Sequence, residues 1–188
     1  MFHLNIILYI YIIYRMYNEF EEYWRSVNNY RNYQISSHGR IRNARTYRIL
    51  KQELKSNGYM SVKLYKDGKN KHHRINRLVA QEFIDNPENK KLVDHIDGNV
   101  LNNHVKNLRW VTHSENCRNQ KRRSDNTSGY RGISFHKRHK KYQCSILHEG
   151  HRYHLGYFDN AEDGAKVYDA KARELDPIHY KLNFDEID

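Results

Sequence analysis

The sequence predicts an α+β protein built from two or three very small domains. It begins with a β-rich N-terminal module, continues with a strand, loop, strand and helix, and ends in a three-stranded antiparallel sheet packed on one helix. Three observations carry this. With Gly counted in and Tyr counted out, the apolar share of the 188 residues is about 34%, against roughly 45–50% in ordinary globular chains, too little for one large dry core. Two-residue alternation recurs only in short runs separated by Gly, Asn and Asp. Helical spacing is clear in one segment alone, at Ala161, Ala165, Tyr168, Ala172 and Leu175.

The elements follow in order. From 33 to 71 the pattern is short strands: Tyr59, Ser61, Lys63 and Tyr65 alternate with Met60, Val62 and Leu64, and Asp67-Gly68 follows as a hairpin signal. Ser37-His38-Gly39 and Asn57-Gly58 mark earlier turns. Residues 77–83 (RLVAQEF) read as a short helix ended by Asn86-Pro87. Two apolar runs, 92–96 and 108–111, precede Thr112-His113-Ser114-Glu115, a capping box that opens another helix. Residues 117–129 lack apolar periodicity and read as a basic linker. Strands are expected at 130–136, 142–148 and 152–158, split by the basic loop 137–141 and by Glu149-Gly150, and the last helix stops at Asp176-Pro177. One apolar helix stripe covers one sheet face. The other face, carrying Arg, Lys, His and Tyr, is left for a partner.

Charge points to that partner. Lys and Arg number 33 against 22 acids, for a net charge of +11 and 13 His besides, an excess suited to nucleic acid or an anionic membrane. Segment 16–71 carries +7, 72–127 carries +3, and 128–188 is neutral overall, with a basic first half and an acidic second half. Cys117 and Cys144 are far apart and form no C-x-x-C pair, so no disulfide framework and no structural zinc are expected. A reducing, intracellular compartment holding DNA, cytoplasm or nucleus, fits; a secreted protein does not. Residues 1–15 are apolar but shorter than the roughly 17 a spanning helix needs, with no basic n-region or cleavage site. They are expected to be an appendage, either from an upstream start at Met1 ahead of Met16 or as a surface strand or weak anchor, and no membrane partner is expected.

The chemistry sits in Val93-Asp94-His95-Ile96-Asp97-Gly98-Asn99, Asn102-Asn103, Asn107-Leu108-Arg109-Trp110-Val111-Thr112 and Ser114-Glu115-Asn116. An Asp beside a His at a strand end, with an Asn returned to them in the first turn of a following helix, fits a one-metal hydrolytic site. Asp94 and Asn116 offer hard oxygens, suited to one Mg²⁺ or Mn²⁺, and His95 is left as base. Taken singly, Asp94, Asn107 and Asn116 also read as turn caps and His95 as an ordinary strand histidine; their joint spacing favours the site. That spacing resembles the HNH nucleases of phage and mobile-intron homing endonucleases, with their β-β-α-metal motif D/N-H-x-D-G-x-x-x-N-N-x-x-x-N-L-x-W-x-T-x-x-x-N, filled here from Asp94 to Asn116. Residues 24–41 (WRSVNNYRNYQISSHGRI) resemble the NUMOD4-like module that often precedes such sites. Residues 130–184 resemble an AP2 DNA-binding domain, through Tyr130-Arg131-Gly132, Leu155-Gly156-Tyr157-Phe158, Tyr168-Asp169-Ala170 and Leu182-Asn183-Phe184.

The resemblance implies five parts: an extension at 1–15, a NUMOD4-like module at 16–71, an HNH nuclease domain at 72–120, a linker at 121–129 and an AP2-like domain at 130–188. It implies hydrolysis of a DNA phosphodiester bond to 5′-phosphate and 3′-hydroxyl ends, with His95 as base, Asp94 and Asn116 on the metal, and Asn107 as structural support. Duplex DNA is the expected partner along an extended site, with no small-molecule cofactor and with the chain a monomer or weak dimer. DNA contacts are expected from Arg40, Arg42, Arg118, Lys121, Arg122, Arg123, Arg131, Lys137, Arg138, Tyr142, Arg152 and His154. Two departures stand out. Family members often carry His three residues past the metal-binding Asn, where this chain has Asn119. In the AP2-like part, Ser134, Tyr142 and His154 occupy or adjoin positions that meet DNA in plant members, so base preference does not transfer. Two other readings remain open: a non-catalytic AP2-type regulator, and an RNA-binding or RNA-cleaving protein whose Tyr-rich strands stack bases.

Overall fold

A computed structural model describes residues 21–120 and 125–184; the 1–15 extension and the three linker cations Lys121, Arg122 and Arg123 lie outside them. The chain separates into two compact units, one of residues 1–87 and 99–109, the other of 88–98 and 110–188. The divide runs through the central motif rather than around it.

The first unit holds two small antiparallel sheets and a helix. Strands β1 (Trp24–Val27), β2 (Tyr30–Ser36) and β3 (Ile41–Asn43) form one sheet in that order; β4 (Glu53–Leu54), β5 (Met60–Lys66) and β6 (Lys69–Arg74) form the other. The β5 alternation is realised: Val62 and Leu64 are buried while Lys63 and Tyr65 face water. Asp67 and Gly68 both take positive φ (51° and 75°), the tight hairpin their sequence specifies. Helix α1 (Ile75–Phe83) starts two residues before the expected 77 and directly after β6. Ile75, Leu78 and Val79 give it an i, i+3, i+4 stripe, which contacts strands of both sheets. β1 was not legible as a strand, because only Val27 of its four residues is buried.

A single-turn 3-10 helix, Val105–Asn107, also belongs to the first unit. Its Val105 N–H donates to the Ser37 carbonyl, and a Cβ placed on Gly39 would come within 2.9 Å of the Asn103 Cβ. With φ at +81°, Gly39 is the residue that allows this close approach.

Strands β7 (Leu92–His95) and β8 (Leu108–Val111) form a two-stranded sheet, and the boundary between units falls inside β8, after Arg109. The second unit continues with α2 (His113–Asn119), which packs on β7. Its capping box forms as expected: Thr112 Oγ1 accepts from the Glu115 N–H and Glu115 accepts from the Thr112 N–H. The linker expected at 117–129 therefore begins later, since Cys117, Arg118 and Asn119 are helical.

Strands β9 (Ile133–His136), β10 (Lys141–His148) and β11 (His151–Phe158) form an antiparallel sheet with β10 central, packed on α3 (Ala161–Leu175). The core between them is Ile133, Cys144, Ile146, Ala165, Tyr168 and Ala172. β9 starts three residues later than 130, because residues 130–132 form a tied-down turn. Asn126 and Ser128 donate to the Tyr130 carbonyl, and Gly132 (φ +71°) leaves no room for a Cβ beside the Tyr168 ring. α3 starts and stops where its spacing places it, capped by the Asn160 side chain on the Asp163 N–H. Cys117 is exposed and Cys144 buried, both as free thiols. No helix among the described residues is long and apolar enough to cross a membrane.

Candidate active site

Asp94 and His95 end β7, and both are buried, at 8% and 4% exposure. A turn follows at once: the Gly98 N–H donates to the His95 carbonyl at 2.8 Å, with Gly98 at φ +72°. Asp97-Gly98 thus forms a turn that stops the strand beneath the two functional side chains. Asn116 closes the first turn of α2, half-buried, its backbone N–H donating to the Thr112 carbonyl. The packing of α2 on β7 brings the element carrying Asn116 against the element carrying Asp94 and His95.

The capping box also fixes this helix electrostatically. Burial pushes the Glu115 carboxyl up, but the Thr112 N–H, the Lys90 ammonium (3.1 Å) and the Thr112 hydroxyl outweigh it and hold the group below its usual range. Glu115 is thus an anion at the N-terminal turn of α2, where the helix dipole favours one.

Asn119, at the end of α2, is 7% exposed. Its Nδ2 donates to Asp94 Oδ2 at 2.9 Å, to the His95 carbonyl at 2.9 Å and, more distantly, to the Ile96 carbonyl at 3.4 Å. The site thus has a buried member that the sequence pattern left without a role. Asn107 belongs to the other unit, where its Nδ2 donates to the Asn102 carbonyl at 2.8 Å and braces its own loop.

The donors fit a hard divalent cation. Asp94 supplies carboxylate oxygen and Asn116 amide oxygen, a set that suits Mg²⁺ or Mn²⁺ and leaves most of an octahedral shell to water and phosphate. Among the described residues no group of three His, Cys, Asp or Glu side chains converges as a metal cage.

The expected DNA-contacting residues fall into different settings. Arg40 is exposed and pairs with Glu22. The Arg42 guanidinium lies 4.0 Å from the Trp24 ring centroid and 4.9 Å from that of Tyr47, with Nε donating to Gln34. Lys137 and Arg138 are exposed in the β9–β10 turn. Arg131 sits in the turn before β9, where the Asn183 side chain both accepts from its N–H and donates to its carbonyl. Arg152 and His154 are exposed on the sheet face opposite α3, against Ser145 and Gln143 respectively.

Two placements differ from expectation. Tyr142 faces the helix and packs against that core, because it shares strand parity with buried Cys144 and Ile146. Gln143 and Ser145 take the open face instead, and the parity was readable in the sequence. Arg118 is not a free linker cation: its Nη1 donates to Asp176 Oδ2 at 2.6 Å, with the two side chains 9% and 13% exposed, and its guanidinium lies 5.4 Å from the Tyr180 ring centroid. Lys181 N–H also donates to the Arg118 carbonyl. Burial pushes the Asp176 carboxyl up, while hydrogen bonds from His179 and Arg118 more than offset it and leave it below its usual range.

Comparison with known proteins bears on this site. Residues 76–118 match the HNH endonuclease family and residues 22–65 match the NUMOD4 motif. The chain is 39% identical over 98 residues to DNA endonuclease I-HmuI of Bacillus phage SP01, covering 52% of this chain and 56% of that protein. It is 37% identical over 83 residues to Protein 3.8 of Escherichia phage T7, covering 44% of this chain and 68% of that one. A solved structure described as "DNA binding and cleavage by the HNH homing endonuclease I-HmuI" aligns at TM-score 0.49 and 38% identity, over 52% of this chain and 57% of its own. The chain therefore spans little more than half the length of the I-HmuI relative.

Proposed function

The chain belongs to the HNH homing endonuclease family, and from that premise we propose that it is a metal-dependent DNA endonuclease that hydrolyses one phosphodiester bond per site, leaving 5′-phosphate and 3′-hydroxyl ends. The observation that carries this reading is the pairing of elements: β7 ends in Asp94-His95 and is packed by the helix that bears Asn116.

Asp94 and Asn116 would hold one Mg²⁺ or Mn²⁺, which would supply positive charge to offset the negative charge that grows in the transition state. His95, in its neutral form, takes a proton from the attacking water. Burial of Asp94 and His95 keeps bulk water from competing for their contacts, and the turn at Gly98 fixes the backbone that carries them. Asn107 acts at a distance by holding its loop.

Binding is assigned to duplex DNA over an extended site. The N-terminal module contributes Arg40 and Arg42; the C-terminal sheet, in an AP2-like manner, contributes Lys137, Arg138, Arg152 and His154 from its open side; Lys121, Arg122 and Arg123 add charge from the sequence between α2 and β9. Phosphate contacts of this kind position the chain, and base contacts on the open sheet face specify the site. A chain with one such site nicks one strand, and it works where DNA and a reducing environment coexist.

The test is conversion of supercoiled plasmid to open circles. Nicking is expected with Mg²⁺ or Mn²⁺, loss with EDTA, and return on adding Mg²⁺ but not Zn²⁺ alone, with nicks that DNA ligase seals directly. Nicking that persists in EDTA, or nicks that ligase cannot seal without end repair, would overturn the proposal.

A further inference from the structure

We infer that Asn119 is a positioning residue that fixes the Asp94 carboxylate and the His95 backbone together. The inference rests on the metal site proposed above and deepens it.

The orientation of the Asn119 amide is set by chemistry. Its nitrogen end faces three oxygens, Asp94 Oδ2, the His95 carbonyl and the Ile96 carbonyl. Only an NH₂ group satisfies all of them, since an amide oxygen there would meet three acceptors. The atom turned toward Asp94 therefore donates and does not ligate a cation. A carboxamide at 7% exposure costs desolvation that an apolar residue of the same size would avoid, and it is retained where its hydrogen bonds specify a geometry. Here they specify two things at once. One N–H holds Asp94 Oδ2 and so restrains the rotation of the carboxylate. The other holds the carbonyl of His95, the residue proposed as base. Removing a group that orients a ligand in this way typically costs about 10- to 100-fold in metal affinity.

The experiment measures binding of Mn²⁺ alone by calorimetry to the full chain and to Asn119→Ala and Asn116→Ala, each first checked for folding by thermal melting. Asn119→Ala is expected to weaken Mn²⁺ binding by about 10- to 100-fold, while its cleavage rate recovers toward wild type at saturating Mn²⁺. A residue that only supports the fold would lower the melting temperature and leave Mn²⁺ affinity at the wild-type value; that result overturns the inference. Asn116→Ala separates this failure from failure of the site itself. If wild type binds no Mn²⁺, or Asn116→Ala binds as wild type does, the metal site proposed above is wrong. If Asn116→Ala weakens binding and Asn119→Ala does not, only the role of Asn119 falls. Should Asn119→Ala not fold, the wild-type chain still decides by NMR. The Asn119 side-chain amide signals are expected to shift in step with Mg²⁺ occupancy, and signals that stay fixed while Mg²⁺ binds overturn the inference.

Discussion

The two compact units carry positive charge in different ways. In the first, several guanidinium groups lie on aromatic rings, Arg42 on Trp24 and Tyr47, Arg74 at 4.6 Å from the Tyr59 centroid and Arg25 at 4.9 Å from that of Phe83, while Arg40 pairs with Glu22. In the second, cations are matched with carboxylates: Arg118 with Asp176, Lys90 with Glu115, Lys141 with Asp159. A ring holds an arginine in place without neutralising it. A carboxylate neutralises it, and when the pair is withdrawn from water both charges are committed to the fold. Position in a basic run therefore does not tell a ring-stacked arginine from one committed to an ion pair, but the partner does. Arg42 keeps its charge un-neutralised on its rings, while the charge of Arg118 ties α2 to the segment that follows α3.

The largest effect that would sharpen this contrast is expected at that tie. Asp176→Ala leaves a guanidinium largely withdrawn from water without its anion, and should cost about 3 kcal/mol of stability, with Arg118→Ala/Asp176→Ala milder than the single change. Measured by denaturant unfolding, a double-variant loss equal to the sum of the two single-variant losses would mean that the pair is not coupled. A chain cut after residue 124 loses the same partner, so its nuclease helix should be looser as well as short of DNA contacts.

A smaller effect separates the cations by function. Arg42→Ala should flatten the dependence of log K for DNA on log salt by about 0.9, one phosphate contact, and Arg118→Ala should leave that slope unchanged. If Arg118→Ala flattens the slope as much as Arg42→Ala does, the division between stacked and paired arginines fails.

The smallest expected effect is in pH. In the first unit, burial and nearby cationic groups hold His73 below its usual value, and burial with His38 and Lys106 does the same for His104. The folded state binds fewer protons than the unfolded one, so stability falls as pH drops through and below about 6.5. In the second unit Glu115 and Asp176 are held low, and their contribution is lost only as pH falls below roughly 4.5, the ordinary glutamate value. Amide exchange should therefore show Val62 and Leu64 losing protection at higher pH than Ile146 and Ala165. A common pH for both groups would contradict this.

Much of this architecture was legible. The capping box at Thr112, the stripe from Ala161 to Leu175 and the Asp67-Gly68 hairpin depend on neighbours within four residues, which a single sequence displays. What it hid was long-range. Arg118 and Asp176 are 58 residues apart in sequence, and no local periodicity joins them. The role of Asn119 lay in Asp94, 25 positions away. Tyr142 was a different kind of miss, since its parity with Cys144 and Ile146 was on the page and aromatic chemistry outweighed it.

The central claim is that the second unit holds the chemistry through Asp94, His95 and Asn116, and its base is the most direct point of attack. Single-turnover cleavage of a duplex by His95→Ala at saturating Mg²⁺, with DNA affinity measured on the same preparation, should fall by about 10² to 10⁴ in rate at nearly unchanged affinity. Cleavage at the wild-type rate would remove His95 from the mechanism and place the active site elsewhere.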